Sequence, residues 1–277
     1  MKTSKNPMYR MPIVYGPACG PRRAPNGDKF DETTGRECFK YTISFLTDAK
    51  QLEELLPPGF SLAGEPIVSV FTRYKKNIPW LGGRGYSVLN VSFPTVFQGN
   101  NDTVRGDFVS VVWENLTEPI LTGREELGCP KIFADIPDPM EVGDTTYCSA
   151  SWMGFKFMDF TIAGLRTPTD EENREYAARA TQSQGVFYYK YIPKSGDWGT
   201  PEVEYPVLNP KSDTSLQVLE TWMGEGKITF HRPTWQEMPT QYMIVNALAD
   251  LEVKQVIGTR VIKTIGGKDL SDVRILS

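Results

Sequence analysis

Phe39-Lys40-Tyr41-Thr42-Ile43-Ser44-Phe45 alternates apolar and polar residues without a break. That period of two belongs to a strand with one face buried and one face polar. Outward from it, Pro66-Ile67-Val68-Ser69-Val70-Phe71 and Phe108-Val109-Ser110-Val111-Val112-Trp113 read as further strands. So do runs from Thr146 to Phe155, Gly185 to Ile192, Ser215 to Trp222 and Lys227 to Phe230, all rich in aromatic and β-branched residues. The 24 glycines and 21 prolines are scattered and punctuate these runs as turns do. Helices are few. Thr47 to Leu56 has a capping residue, an apolar stripe and a Pro57-Pro58-Gly59 stop. Thr169 and Glu172 form a capping box before a polar, surface-type segment ending near Ala180, and a third helix is expected from about Thr240 to Leu251. Strands dominating over a few segregated helices predict an α+β fold: a large, curled antiparallel sheet, a partial barrel or cone, with peripheral helices.

The 277 residues carry 30 Lys+Arg against 34 Asp+Glu, a net charge of −4. With no basic patch beyond short pairs such as Lys75-Lys76, nothing drives binding to nucleic acid. A single histidine, His231, makes a multi-histidine metal site impossible and argues against a Ser-His-Asp triad; we read it as structural. Cys19, Cys38, Cys129 and Cys148 have neither zinc-clamp nor CxxC spacing. Met1 to Pro7 leads into no apolar stretch, and no run of 18 apolar residues exists. The expectation is a soluble cytoplasmic protein with free thiols, no membrane span and no signal peptide. The sequons at Asn90, Asn101 and Asn115 are then chance matches. Gly82-Gly83-Arg84-Gly85 and Gly224-Glu225-Gly226-Lys227 lack the spacing of a phosphate loop, so both are read as turns and no nucleotide cofactor is expected.

The informative stretch for chemistry runs from Glu118-Pro119 through Gly123-Arg124-Glu125-Glu126 to Cys129-Pro130-Lys131-Ile132-Phe133. Its residues describe a proline-bounded turn, a charged cluster and one lysine entering an apolar segment. Such a lysine either snorkels to water or is held inside for a reason.

Glu-Pro, Gly-Arg-Glu and then Pro-Lys resembles the surroundings of the Schiff-base lysine in the acetoacetate decarboxylase family. Arg105-Gly106-Asp107-Phe108, Trp152-Met153-Gly154-Phe155-Lys156, Phe230-His231-Arg232-Pro233 and Glu65-Pro66-Ile67-Val68 resemble other segments of that family. The likeness spreads over nearly the whole chain and implies one domain, residues 1–277, and a homo-oligomer. It places the nucleophile at Lys131, with Arg124 and Glu125 as the motif's Arg-Glu, and Arg36 as a further arginine. Departures accompany the match. The second lysine of the decarboxylases is Ile132 here, so lowering the basicity of Lys131 would fall mainly to burial. Two acidic positions of the decarboxylase cavity fall on Phe71 and Tyr86. Trp80-Leu81-Gly82-Gly83-Arg84-Gly85-Tyr86 instead resembles a divergent branch that includes pyruvate aldolase-dehydratases.

An amine that attacks a ketone forms an iminium, an electron sink for making or breaking a carbon–carbon bond. The resemblance therefore implies a lyase condensing pyruvate or a similar keto acid with an aldehyde, or the reverse. Lys131 would be the nucleophile, and Tyr86, Glu125 or Glu126 would move protons. Arg84, Arg36 or Arg124 would hold a carboxylate, with Phe71 lining the site. No metal or cofactor is required. A β-keto acid decarboxylase and a small-molecule binding protein on the same scaffold are the alternatives.

Overall fold

The computed structural model describes residues 8–30, 35–211, 215–268 and 270–277; the N-terminal reading at Met1 to Pro7 lies outside them. The strands are β1 (Glu37–Leu46), β2 (Phe60–Leu62), β3 (Ile67–Lys76), β4 (Tyr86–Gln98), β5 (Thr103–Glu114), β6 (Lys131–Phe133) and β7 (Met140–Val142). They continue with β8 (Thr145–Trp152), β9 (Phe155–Arg166), β10 (Gly185–Lys194), β11 (Asp197–Pro210), β12 (Gln217–Phe230), β13 (Gln255–Ile265) and β14 (Arg274–Ile275). All belong to one unclosed sheet of order β14-β11-β10-β5-β4-β3-β1-β13-β12-β9-β8-β7, with β2 added to β4 and β6 to β5. Antiparallel pairs dominate, as expected. The two parallel pairings, β10 and β6, both lie on the same edge of β5. A parallel return needs a crossover of a dozen or more residues, and residues 115–130 between β5 and β6 supply it.

Period-two alternation sorts the central strands into two faces. Ile43, Phe45, Val68, Val70, Leu89, Val91, Phe93, Val111 and Trp113 point to one side and join a continuous apolar core. Helix α1 (Ala49–Glu53) adds Leu52 to that core, and α4 (Tyr242–Ala249) adds Val245 and Leu248. Helix α2 (Thr117–Thr122) opens the crossover. Helix α3 (Asp170–Gln182) buries nothing of its own, and its predicted capping box between Thr169 and Glu172 is formed. Asp48 caps α1 by accepting from the Lys50 and Gln51 amides. Among the described residues no helix is long and apolar enough to cross a membrane.

Two local expectations need correction. The run from Thr146 to Phe155 is not one strand but the hairpin β8–β9, because Met153 and Gly154 both take positive φ (48° and 90°) and form a two-residue turn. Gly224-Glu225-Gly226 is not a turn but lies within the continuous β12. A Cβ on Gly226 would come within 2.7 Å of Ile43, so this glycine serves close packing inside a strand.

Candidate active site

The face opposite the core carries the charged side chains. Register runs without interruption from Phe71 on β3 to Asn90 on β4, Val112 on β5 and Lys131 on β6, so these four residues form a row across the sheet. Alternation then sets Lys75 and Tyr86, and Arg73 and Val88, as neighbouring pairs on the same face. From β1, Lys40 sits opposite Arg73. Val88, Val109 and Val112, with Tyr86, Val186 and Tyr188 packed on them, make a small apolar floor.

The crossover delivers Lys131. After α2, one π-helical turn spans Gly123–Leu127, a wide turn of a kind frequent at functional sites. The aliphatic stem of Lys131 runs past Gly123, where a Cβ would lie 2.6 Å from Cε; this is the physical reason for glycine in the Gly-Arg-Glu motif. The Lys131 ammonium donates to the Pro119 carbonyl at 3.0 Å and pairs with the Glu114 carboxylate at 2.9 Å. Its side chain is 14% exposed and that of Glu114 only 1%. Glu114 Oε2 is buried and has no hydrogen-bond partner.

This pairing corrects the expectation that burial lowers the basicity of Lys131. Burial does act in that direction, but the charge of Glu114, aided by Tyr86 and Cys129, outweighs it and holds the ammonium up at about 12. The depressed amine is Lys75. Burial and then the neighbouring Arg36 push it well below the ordinary lysine value, with Lys131 and Arg73 adding to the effect against the pull of Glu114. Lys75 Nζ donates to the Tyr86 hydroxyl at 2.8 Å and lies over its ring. Burial, with the charge of Glu114, pushes the Tyr86 phenol up to about 12. A cleft of about 360 Å³ opens beside this pair, bounded by Asn77, Gly83, Asn115 and Asp138. Asn115, next to Glu114, fixes the end of β5 by accepting from the Ser87 amide and donating to the Ile136 carbonyl.

The other sequence candidates fall around this centre in different ways. Arg36 acts on both Lys75 and Tyr86 through its charge. Phe71 has two cations near its ring, Lys40 and Arg73, each 4.4 Å from the ring centre. Arg124 is exposed and donates to the Lys131 backbone carbonyl, so it props the strand rather than the amine. Glu125 offers its carbonyl to Lys190 from β10. Glu126 is held by Arg10 at 2.5 Å and Arg22 at 3.1 Å, which pin the N-terminal segment to the π turn. Arg84 is exposed on its turn and donates to Leu81. His231 pairs with Asp159, which also takes Lys156, at a half-exposed position. Sequence reasoning missed Glu114 and Lys75. A carboxylate closing the apolar run Phe108 to Trp113 was the available signal for the first. Alternation with Phe71 along β3 was the signal for the second. Among the described residues no cluster of three potential metal ligands occurs.

The curled sheet thus carries an apolar core on one face and a buried lysine–carboxylate pair among cations on the other. The chain belongs to the acetoacetate decarboxylase family, whose family model matches residues 10–269. Comparison with curated proteins finds no match. Among solved structures, the chain is similar to acetoacetate decarboxylase from Legionella pneumophila, with 20% identity over 92% of each chain and a TM-score of 0.65. It is similar to an acetoacetate decarboxylase-like enzyme from Sphingomonas wittichii RW1, with 19% identity over 94% of this chain and 99% of that one and a TM-score of 0.65. A third is the enduracididine biosynthesis enzyme MppR, complexed with the condensation product of pyruvate and imidazole 4-carboxaldehyde. It shows 16% identity over 99% and 98% of the two chains and a TM-score of 0.63. At these identities the likeness shows the fold.

Proposed function

We propose that the protein is a Schiff-base-forming carbon–carbon lyase that condenses pyruvate or a similar keto acid with an aldehyde and dehydrates the product, or runs the reverse. The observation that carries this reading is Lys131 itself, 2.9 Å from a nearly inaccessible carboxylate at the end of the family's motif. The lysine and Glu114 act as one proton-sharing unit. Moving the ammonium proton to Glu114 frees the amine without exchange with water. The amine then attacks the keto carbon, Glu114 returns its proton to the oxygen that leaves as water, and the Glu114 carboxylate takes a proton from the adjacent carbon as the iminium accepts the electron pair. That carbon attacks the aldehyde, whose oxygen takes a proton from Tyr86, itself hydrogen-bonded to Lys75. Loss of water and hydrolysis of the imine return free Lys131. Arg36 is the cation placed to hold the keto-acid carboxylate, with Lys75 a hydrogen-bond donor beside it and Arg84 on the exposed turn that precedes β4. No step calls for a metal or an organic cofactor. The continuous sheet supports reading residues 1–277 as one domain.

The unpartnered Glu114 Oε2 favours a second reading. A buried carboxylate beside an imine would destabilise a substrate carboxylate set against it, which suits decarboxylation of a β-keto acid. Two measurements decide. Borohydride with pyruvate is expected to leave a covalent adduct on Lys131, mapped by mass spectrometry; an adduct on Lys75, or none, overturns the proposal. Acetoacetate is expected to release little carbon dioxide, and rapid release selects the second reading.

A further inference from the structure

Lys40 and Arg73 are register partners on the charged face, each 4.4 Å from the centre of the Phe71 ring. Neither forms an ion pair or a hydrogen bond through its side chain with any of the described residues. Asp107 is the carboxylate whose field reaches Lys40, yet it makes no ion pair with it. Next to Phe71 in register, Asn90 is 5% exposed and its Oδ1 has no partner. Both side chains are only partly exposed, and unpaired cations so placed lose part of their hydration and ordinarily acquire an anion. Lys131 has Glu114, and Lys75 donates to the Tyr86 hydroxyl, whereas Lys40 and Arg73 have neither kind of partner. Burial and then Arg73 bring the Lys40 ammonium down to about 7, which agrees with a place prepared for negative charge and lacking it.

We propose that Lys40, Phe71, Arg73 and Asn90 form a second anion subsite, so that the compound joined or cleaved at Lys131 carries a carboxylate remote from its reacting carbon. The row Phe71–Asn90–Val112–Lys131 sets the reach. Three strand spacings of roughly 4.8 Å separate the two ends by about 14 Å along the sheet. With a lysine at each end of that span, the molecule it fits is one with a short aliphatic chain between its reacting carbon and its remote carboxylate. The substrate class is therefore a dicarboxylic keto acid or an acid-bearing aldehyde. The length argument rests on the Lys131 reading, whereas the anion site can be measured without it.

The test is calorimetric titration of the full chain with glutarate and with valerate, matched in length and differing by one carboxylate, at constant ionic strength. Glutarate is expected to bind at least about tenfold more tightly, and Arg73→Met to remove most of that preference. Should Arg73→Met fail to fold, Lys40→Met and the wild-type comparison carry the same test. Equal binding of the two acids, or full preference retained in a folded Arg73→Met or Lys40→Met protein, overturns the subsite. Borohydride labelling with pyruvate runs in parallel. Labelling at Lys131 without glutarate preference removes only the subsite; glutarate preference without labelling removes only the imine reading.

Discussion

Trp113 and Glu114 are neighbours in the chain, and so are Lys131 and Ile132, yet in each pair one side chain enters the apolar core while the other enters the charged face. Trp113 is fully buried against Phe157, 5.1 Å away between ring centres, and donates to Gln241 at the start of α4. Glu114 is as inaccessible, but what it meets is an ammonium. One side of the sheet thus gains stability from apolar contact, while the other holds cations that would be better solvated in the unfolded chain. The lesson is a division of labour across a single layer: the core side supplies the free energy that lets the charged side remain strained.

Substitutions on the two faces should therefore differ in sign. The largest effect is expected on the core side. Phe93→Ala, on β4 and 1% exposed, should lower unfolding free energy by about 3–5 kcal/mol in denaturant titration. A loss below about 1 kcal/mol would mean that the core does not carry the load assigned to it. On the charged side, Lys40→Met should stabilise the ligand-free protein by about 1–4 kcal/mol. The folded value of Lys40, about 7, lies below its ordinary 10.5, so between those limits the unfolded chain binds the additional proton. The penalty is complete below pH 7 and disappears as pH rises to about 10.5. Melting temperatures at pH 6 should then separate wild type from variant, and those near pH 10.5 should converge. The same gain at both pH values would divorce it from charge. The smallest effect concerns Glu114→Gln. With the charge of Glu114 gone and burial the leading influence on Lys131, the pH midpoint of its labelling by pyruvate and borohydride should fall by about one unit or more; an unmoved midpoint would break the link between the pair and the amine.

Much of the sheet was legible because alternation is a local signal. The run from Phe39 to Phe45 became β1 over Glu37–Leu46 in the expected sense. Strands β4, β11 and β13 were not picked out. The first has a near-continuous apolar stretch broken by Pro94, and β11 carries Pro201, Pro206 and Pro210, which read as breakers. The crossover looked like a plain turn because Pro119 and Gly123 hide a helix followed by a π turn. Lys131 stood out through its motif, but its ionic state did not. The partner that decides that state arrives by pairing of β5 with β6, across a register that no spacing in the chain reveals. The position after the lysine was weighed as a missing cation, whereas alternation turns Ile132 towards the core, and the second lysine near the site comes from β3 instead.

The strand that carries Lys131 is three residues long and bordered on one edge only. Few backbone bonds hold it, and its setting depends on the props from Arg124 and from the π turn that Lys190 steadies. Such a mounting is mechanically compliant compared with the strands of ten or more residues beside it. In the proposed imine chemistry, a nitrogen that follows carbon from trigonal to tetrahedral and back would move with a small tab of backbone, while the main wall of the sheet stays still.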